Sequence, residues 1–432
     1  MGRIVVPVRA MFKAFVYRRG LLHAENVRLD ALAERYGTPL YIYSATHLRS
    51  QFRALSNAMA AVSPLICYSM KANSCGAVLR TLLREGAGVD VVSGGELFRA
   101  LRAGADPAKI VFAGVGKTVA EIEFALRSRI LFFTVESEPE AERISACARR
   151  LRTTARIAIR VNPDVDPGTH RHITTGRAET KFGIDLLRAE RACQMVMRLP
   201  HTELVGLHIH IGSQILDARP FGEAIDRISP LCAGLRRECG TFRYLDAGGG
   251  IGIPYKPSQK ELSPREFAAE VAPRAAALGL NLVMEPGRFL VGNAGVLVCR
   301  VQYVKQSGRK RFVIVDAGMN DLIRPVLYDA YHQVVPVRRI RVSMKADVVG
   351  PICESGDFLA RDRMVPSVHS GDLLAVLSAG AYGFAMSSSY NSRPRPAEVL
   401  VDGTRVTLAR RRETWQDLMD KETSTAIRKE RK

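Results

Sequence analysis

Cysteine patterns that mark metal-binding or disulfide-stabilised proteins are missing from this sequence. The eight cysteines are scattered over 432 residues, with no CxxC pair and no cluster of histidine and cysteine. Structural zinc needs closely spaced thiolates or imidazoles, and disulfide frameworks belong mainly to short secreted chains. We therefore expect reduced thiols, most of them packing residues, and no metal site.

Long apolar runs are also missing. No stretch approaches about 18 consecutive apolar residues, the length that suggests a membrane span. The N-terminal segment is interrupted by Pro7, Arg9, Lys13 and Arg18, and it shows no apolar core or small-residue cleavage site of a signal peptide. These absences predict a cytoplasmic protein that does not enter a membrane.

Acidic residues are outnumbered, 43 against 63 basic ones, which gives a net charge of +20. A basic chain can bind nucleic acid, but these arginines are spread along the sequence without a recognisable reader motif. A solvated basic surface explains the charge better, and we predict no nucleic-acid partner.

The length exceeds what a single core usually serves, so two domains are expected. From residue 65, short apolar runs alternate with stretches that repeat apolar residues every three or four positions, as helices do. Eight such β and α units in succession are typical of a (β/α)8 barrel. The predicted strands are 65–71, 88–93, 110–114, 131–135, 156–162, 204–212, 242–248 and 281–287.

Chemically unusual residues lie at the carboxyl ends of these runs. Parallel barrel strands direct their carboxyl ends to one face, where barrel active sites are built. The placement therefore predicts a single site at that face. The residues concerned are Lys71, Ser93, Arg160, His210, Gly248–Gly250 and Glu285.

After Gly295 the pattern changes to strands separated by turns, with few helices. We predict a barrel over 45–295 and a mostly β domain made of 1–44 and 296–420, since chain termini often meet. A polar tail, 421–432, follows. The candidate strands of the β domain are 39–44, 296–306, 310–318, 337–344 and 371–379.

Lys71 ends an apolar strand, and two interpretations are open. A lysine at a strand end commonly reaches solvent and does nothing more. A desolvated amine with a lowered pKa could instead bond to a carbonyl cofactor. The second interpretation requires a phosphate site nearby.

A candidate phosphate site follows the last two barrel strands. Gly248–Gly250 can turn backbone N–H groups toward an anion, and Gly287 and Arg288 follow the eighth strand. A tight turn explains one glycine run equally well, but barrels commonly hold phosphate with these two loops. Glu285 could keep a proton on a pyridine nitrogen, pair with Arg288, or do both.

His208 and His210 share one face of the sixth strand, which keeps a metal-dependent hydrolase open as a rival class. The rest of a ligand set is missing, because the eighth strand end offers no histidine or aspartate and the first offers a lysine. An imidazole stacked on a cofactor ring, with Ser213 close to the phosphate, fits better.

At this point the motifs as a set become decisive: "YSMKAN", "GLHIHIGSQI", "DAGGGIGIPY", "MEPGRFLVGNAG", "DLIRPVLYDAYH" and "GPICESGD". From about residue 25 to 415 the chain resembles the diaminopimelate decarboxylase family, pyridoxal-phosphate enzymes with an alanine-racemase-like barrel. Several motifs are shared with ornithine and arginine decarboxylases. The combination of "DLIRPVLYDAYH" with "CESGD" points to the diaminopimelate branch.

The resemblance implies decarboxylation of meso-2,6-diaminopimelate to L-lysine with pyridoxal 5'-phosphate. A related decarboxylase of ornithine, arginine or carboxynorspermidine is the alternative. A non-catalytic relative would have lost Lys71 or Cys353, and both are present. The implied cofactor contacts are Lys71, His210, Ser213, Gly249, Gly250, Glu285, Gly287, Arg288 and Tyr382. The implied substrate contacts are Arg288, Arg324, Tyr328, Glu354 and Tyr382.

Cys353 and Glu354 stand side by side in a loop opened by Gly350 and Pro351. A thiol near neutral pKa can return a proton after carbon dioxide leaves, and a carboxylate can bind the distal ammonium of the substrate. In the resembling family this loop crosses a two-fold interface. The resemblance therefore implies a homodimer with two shared active sites.

Overall fold

The computed structural model describes residues 14–166 and 181–422. The segment 1–13, predicted to join the β domain, and the tail from residue 423 lie outside the described residues. The described chain opens with a three-stranded antiparallel sheet. Its first elements are β1 (Phe15–Arg18), β2 (Leu21–Ala24), β3 (Val27–Arg28), α1 (Leu29–Tyr36), β4 (Leu40–Ser44) and α2 (Ala45–Ala58).

Parallel strands alternating with helices then close into a barrel. The ring is closed because β13 pairs with β5 and β8 pairs with β9. The short strand β10 pairs with β9 but is not part of the ring. All eight predicted strands are present, so the predicted (β/α)8 barrel is confirmed. The elements are β5 (Leu65–Ser69), α3 (Gly76–Arg84), β6 (Gly88–Val91), α4 (Gly94–Arg102), β7 (Ile110–Phe112), α5 (Val119–Ser128), β8 (Phe132–Val135), α6 (Glu138–Arg150), β9 (Ala155–Asn162), β10 (Ile184–Asp185), α7 (Leu186–Arg198), β11 (Thr202–His208), α8 (Arg219–Glu238), β12 (Tyr244–Asp246), α9 (Pro264–Leu278), β13 (Asn281–Met284) and α10 (Arg288–Val291).

Inside the barrel, a layer of apolar side chains lies below the polar side chains of the mouth. Cys67, Ala158 and Val283 belong to one buried apolar cluster formed by the barrel strands. Side chains two residues apart on a strand share a face. Ser69 and Glu285 therefore stand on the same faces as Cys67 and Val283, two residues nearer the carboxyl ends. The polar site lies directly above an apolar floor.

The second unit is mostly β, as predicted. Its main sheet has the order β18-β17-β15-β14-β4-β20-β21, and β19 pairs with β14 and β16. Because β4 lies between β14 and β20, the N-terminal chain is part of this sheet. The elements are β14 (Gly295–Ser307), β15 (Lys310–Val315), α11 (Arg324–Tyr328), β16 (Val334–Pro336), β17 (Ser343–Val349), β18 (Phe358–Pro366), β19 (Leu373–Val376), β20 (Ala397–Asp402), β21 (Arg405–Arg410) and α12 (Trp415–Met419).

One predicted strand, 337–344, is wrong over most of its length. Only its last two residues belong to β17. The N–H of Val337 donates to Leu373 and the N–H of Arg339 donates to Gly20, so its backbone bonds go to two different neighbours. Alternating apolar residues resemble a strand locally, but no single ladder partner runs beside this segment.

The described residues also bear on two expectations from composition. Seven cysteines are buried, Cys353 is exposed, and all eight are free thiols. No helix within 14–166 or 181–422 is both long and apolar enough to cross a membrane.

Candidate active site

Lys71 follows β5 in a short 3-10 turn at the barrel mouth, with its side chain 37% exposed. Its Nζ donates to Asp90 Oδ2 at 3.0 Å, and Ser69 Oγ donates to the same oxygen at 2.6 Å. Asp90 lies on β6 and is fully buried. The sequence analysis missed Asp90, although a carboxylate inside the apolar run "GVDVV" was a signal for it.

The expectation of a lowered pKa at Lys71 is wrong. Burial lowers the pKa, but the negative charges of Asp90 and Glu285 outweigh that effect, and the net shift is upward. Lys71 is therefore an ammonium ion in this structure. Its proton must leave before the amine can act as a nucleophile.

Glu285, His208 and Asp246 form a buried cluster beneath the mouth. His208 Nε2 lies 3.2 Å from Glu285 Oε2, and all three residues offer a ligand atom within 4.8 Å of the others. Asp246 Oδ1 accepts the Gly248 N–H at 2.9 Å. Asp246 Oδ2 and Glu285 Oε1 are buried without a nitrogen donor among the described residues. Two buried carboxyl groups so arranged need a shared proton.

The surroundings decide which carboxyl group carries that proton. Burial raises the pKa of Glu285, but His208, which lies within hydrogen-bonding distance, and the charge of Lys71 outweigh burial and lower it. Burial and the charge of Glu285 together raise the pKa of Asp246 well above its ordinary value. Glu285 is therefore the ion and Asp246 the neutral acid that donates to it.

We expect Asp246→Leu to lower the stability of the cofactor-free protein by about 1.5–3 kcal/mol, because it removes a hydrogen bond to a buried charge. Asp246→Asn should cost much less, since its amide can donate to Glu285 as the acid does. Urea unfolding of both variants beside wild type measures the difference. Equal losses in the two variants would contradict the assignment of the proton to Asp246.

His210 and the glycine run lie together at the mouth. The N–H of Gly249 donates to His210 Nδ1 at 3.1 Å, so that ring nitrogen carries no proton. Burial and nearby cations lower the pKa of His210 well below its ordinary value, and the ring is neutral. Because Gly248 and Gly249 donate to Asp246 and His210, the predicted anion cradle is only partly available. No described hydrogen bond uses the N–H of Gly250.

Arg288, the first residue of α10, is 7% exposed. Its Nη1 donates to Tyr255 Oη at 2.7 Å and its Nη2 to Ser213 Oγ at 3.0 Å. Its guanidinium carbon also lies 4.8 Å from the ring centre of Tyr382. Tyr382, with a φ of +55°, donates its N–H to Ala72 at 2.7 Å. The β domain thus contributes a wall of the barrel mouth beside Lys71.

Arg324, at the start of α11, is 5% exposed. Its Nη1 lies 2.9 Å from His332 Nε2, and its guanidinium carbon lies 4.7 Å from the ring centre of Tyr255. Tyr328, on the same helix, is half-buried. Burial lowers the pKa of Arg288, but Tyr328 and the neighbouring tyrosines outweigh burial and raise it. Tyr255 and His332 were within quoted motifs, but the sequence analysis gave them no role.

Comparisons with known proteins identify the family. Residues 45–292 match the family described as pyridoxal-dependent decarboxylase, pyridoxal binding domain. Diaminopimelate decarboxylases of Aquifex aeolicus and Pseudomonas aeruginosa are each 49% identical over 405 residues, which is 94% of this chain and 96% and 97% of theirs. The chain belongs to the diaminopimelate decarboxylase family.

A solved member of the family has the same fold. The diaminopimelate decarboxylase of Helicobacter pylori, crystallised with L-lysine, is 39% identical and superposes with a TM-score of 0.87, over 90% of this chain and 98% of that one. The likeness spans both units of the molecule, because so little of either chain remains uncovered.

Side chains at the mouth fit the cofactor of pyridoxal-dependent decarboxylases. Lys71 offers an amine for an aldehyde, and the ionised Glu285 can accept a further hydrogen bond from a protonated ring nitrogen. Arg288 Nε is buried without an acceptor among the described residues, as expected for a group awaiting an anion. A Cβ at Gly249 would lie 2.1 Å from the carbonyl oxygen of Glu285, so only glycine allows this close approach.

The loop that contains Cys353 and Glu354 was predicted to complete an active site across a dimer interface. Cys353 and Glu354 are exposed, and among residues 14–166 and 181–422 no hydrogen bond or ion pair joins either side chain to Lys71, Arg288 or Arg324. The loop itself is well held. Asp357 accepts the N–H of Ile352 and of Met319 at 2.7 Å, and Asn391 Oδ1 accepts the N–H of Cys353 at 2.8 Å.

Proposed function

We propose that this protein decarboxylates meso-2,6-diaminopimelate to L-lysine and carbon dioxide with pyridoxal 5'-phosphate, the last step of lysine biosynthesis. Family membership supports the reaction class. Carbon dioxide release by the holoenzyme from diaminopimelate, ornithine and arginine tests the substrate. Release from ornithine or arginine at a comparable rate would favour the alternative decarboxylases.

The observation that carries the substrate assignment is a pair of buried arginines without a carboxylate partner. Arg288 and Arg324 contact only neutral groups among the described residues. A buried, uncompensated charge is costly, so such a pair predicts an anionic ligand. Diaminopimelate has a second carboxylate at the end remote from the reacting centre, and guanidinium groups bind carboxylates well. Ornithine and arginine have none there.

Pyridoxal phosphate, when bound, supplies a conjugated ring that accepts the electron pair left by departing carbon dioxide. Lys71 would hold the cofactor, and the hydrogen bond from its Nζ to Asp90 Oδ2 at 3.0 Å fixes the position of the amine. Glu285 would keep a proton on the ring nitrogen. His210 would lie against the ring. The further cofactor contacts we propose are Ser213, Gly249, Gly250, Gly287, Arg288 and Tyr382. Gly249 would allow close approach without donating its N–H, which bonds to His210.

Substrate orientation would come from the distal end. Reaction choice depends on which bond at the reacting carbon stands perpendicular to the ring, and fixing the far end of the molecule sets that angle. Arg288, Arg324 and Tyr328 would hold the distal carboxylate, and Tyr382 would contact the substrate near the phosphate. Glu354 would bind the distal ammonium.

We also infer a homodimer in which each site borrows Cys353 and Glu354 from the partner. The exposure of both side chains supports a shared site, as does the lack of a hydrogen bond or ion pair from either to Lys71 among the described residues. Cys353 would return a proton after carbon dioxide departs. The cytoplasmic location expected from the sequence stays a prediction.

Borohydride treatment of the holoenzyme is expected to fix the cofactor covalently on the peptide that contains Lys71, as detected by mass spectrometry. Lys71→Ala should abolish both this adduct and turnover, because no other amine holds the cofactor. Lys109→Ala, an exposed lysine that precedes β7, is the matched control and should behave as wild type. Normal turnover of Lys71→Ala would refute the assignment.

A further inference from the structure

Among the described residues, two buried guanidinium groups at the barrel mouth have only neutral hydrogen-bond partners. Arg288 donates to Tyr255 Oη and Ser213 Oγ, and Arg324 Nη1 lies 2.9 Å from His332 Nε2. Within 14–166 and 181–422, neither arginine forms an ion pair with an aspartate or a glutamate. Buried arginines are ordinarily paired with acids, so this arrangement requires an explanation.

His332 is held in one tautomer by its neighbours. Its Nδ1 lies 2.8 Å from the carbonyl oxygen of Leu377, which can only accept, so Nδ1 carries the proton. Its Nε2 is then the acceptor for Arg324. Burial lowers the pKa of His332 to about 3, helped by the charges of Arg324 and Arg363, and the ring stays neutral.

His332 also supports the second arginine through Tyr255. The two rings meet edge to face with centres 5.4 Å apart, and Tyr255 Oη accepts the hydrogen bond of Arg288. The guanidinium of Arg324 lies over the same tyrosine ring at 4.7 Å. One fully buried histidine therefore contacts Arg324 directly and packs against the residue that orients Arg288.

The neutrality of His332 has a chemical consequence. A carboxylate at this position would fix Arg324 equally well, but it would neutralise the charge and compete with an anionic ligand. A neutral acceptor fixes the guanidinium and leaves its charge for the ligand. The substrate carboxylate then finds donors that are already oriented, which lowers the entropic cost of binding.

We propose that His332 is a positioning residue that makes the site selective for ligands with a carboxylate at the end remote from the cofactor. This inference rests on the proposed function and goes further, since it assigns selectivity to a residue outside the substrate contacts. L-lysine, the proposed product, retains that distal carboxylate. Cadaverine, the corresponding diamine, has no carboxylate, so its affinity should depend little on His332.

Calorimetric titration of the holoenzyme with L-lysine and with cadaverine tests the proposal. His332→Leu should weaken L-lysine binding roughly 10- to 100-fold and cadaverine binding less than about 3-fold, because only L-lysine uses Arg324. His332→Gln should restore L-lysine binding to within about 5-fold of wild type, since its amide accepts from Arg324 and donates to Leu377. In turnover, His332→Leu should raise KM for diaminopimelate more than it lowers kcat.

His332→Glu separates positioning by a neutral group from mere support of Arg324. The glutamate can hold the Arg324 guanidinium by an ion pair. We nevertheless expect it to weaken L-lysine binding at least as much as His332→Leu does, because the charge of Arg324 is then neutralised within the protein. His369→Leu, an exposed histidine of the β domain, is the matched control. Thermal unfolding identifies the variants that fold. If His332→Leu does not fold, the comparison of His332→Gln with His332→Glu still tests the proposal.

The outcomes are distinguishable. The inference is overturned if His332→Glu binds L-lysine with full affinity, or if His332→Leu loses equal affinity for L-lysine and cadaverine. Either result leaves the proposed function intact as long as the wild type turns over diaminopimelate normally. A wild-type holoenzyme that neither decarboxylates diaminopimelate nor binds L-lysine would overturn the proposed function and the inference together.

Discussion

Diaminopimelate is expected to exceed ornithine by about 10⁴-fold in kcat/KM, because a site built around buried polar groups rejects ligands that leave them unpaired. Ornithine places no carboxylate against Arg288 and Arg324. Missing methylenes alone would discriminate far less, by roughly 10- to 200-fold. Carbon dioxide release at subsaturating concentrations of diaminopimelate, ornithine, arginine and lysine measures these ratios directly.

Arg324→Lys provides the companion measurement. Lysine keeps the charge but lacks the planar fork that binds a carboxylate with two hydrogen bonds. We expect kcat/KM for diaminopimelate to fall about 10²-fold, with a much smaller change for ornithine. Arg405→Lys, on the edge strand β21, is the matched control. If wild-type kcat/KM for ornithine is comparable to that for diaminopimelate, the chain acts as one of the alternative decarboxylases.

Mixing two inactive variants is expected to restore activity. Lys71→Ala removes the cofactor lysine and Cys353→Ala removes the proposed proton donor, so each homodimer should be nearly inactive. In a heterodimer with shared sites, one site combines the intact Lys71 of one subunit with the intact Cys353 of the other. Random exchange of equal amounts makes about half of the dimers mixed, so about one quarter of the wild-type activity should return.

Exchange has to be demonstrated independently, with differently tagged subunits copurified after mixing. Mixing either variant with itself is the control and should remain inactive. If mixed dimers are recovered and no activity returns, the shared-site proposal fails, and Cys353 and Glu354 must act on their own chain or not at all.

Local patterns in the sequence were sufficient for the barrel and for the face that bears the site. Each barrel strand is a short apolar run next to an amphipathic helix, so eight strands could be counted before any pairing was known. Lys71, His210 and Glu285 stood at the ends of their runs, and parallel strands bring such ends together. The β domain was predicted less well, since 337–344 has the alternation of a strand without one ladder partner.

The sequence by itself therefore determined the fold class, the family and the positions of the principal polar residues. Only the tertiary structure decided their protonation and their partners. The raised pKa of Lys71 comes from Asp90 and Glu285, and the neutral state of His332 from burial beside Arg324. A pKa depends on the charges and solvent within a few ångströms. Those neighbours, such as His208 and Glu285 at 3.2 Å, come from distant parts of the chain, which only folding brings together.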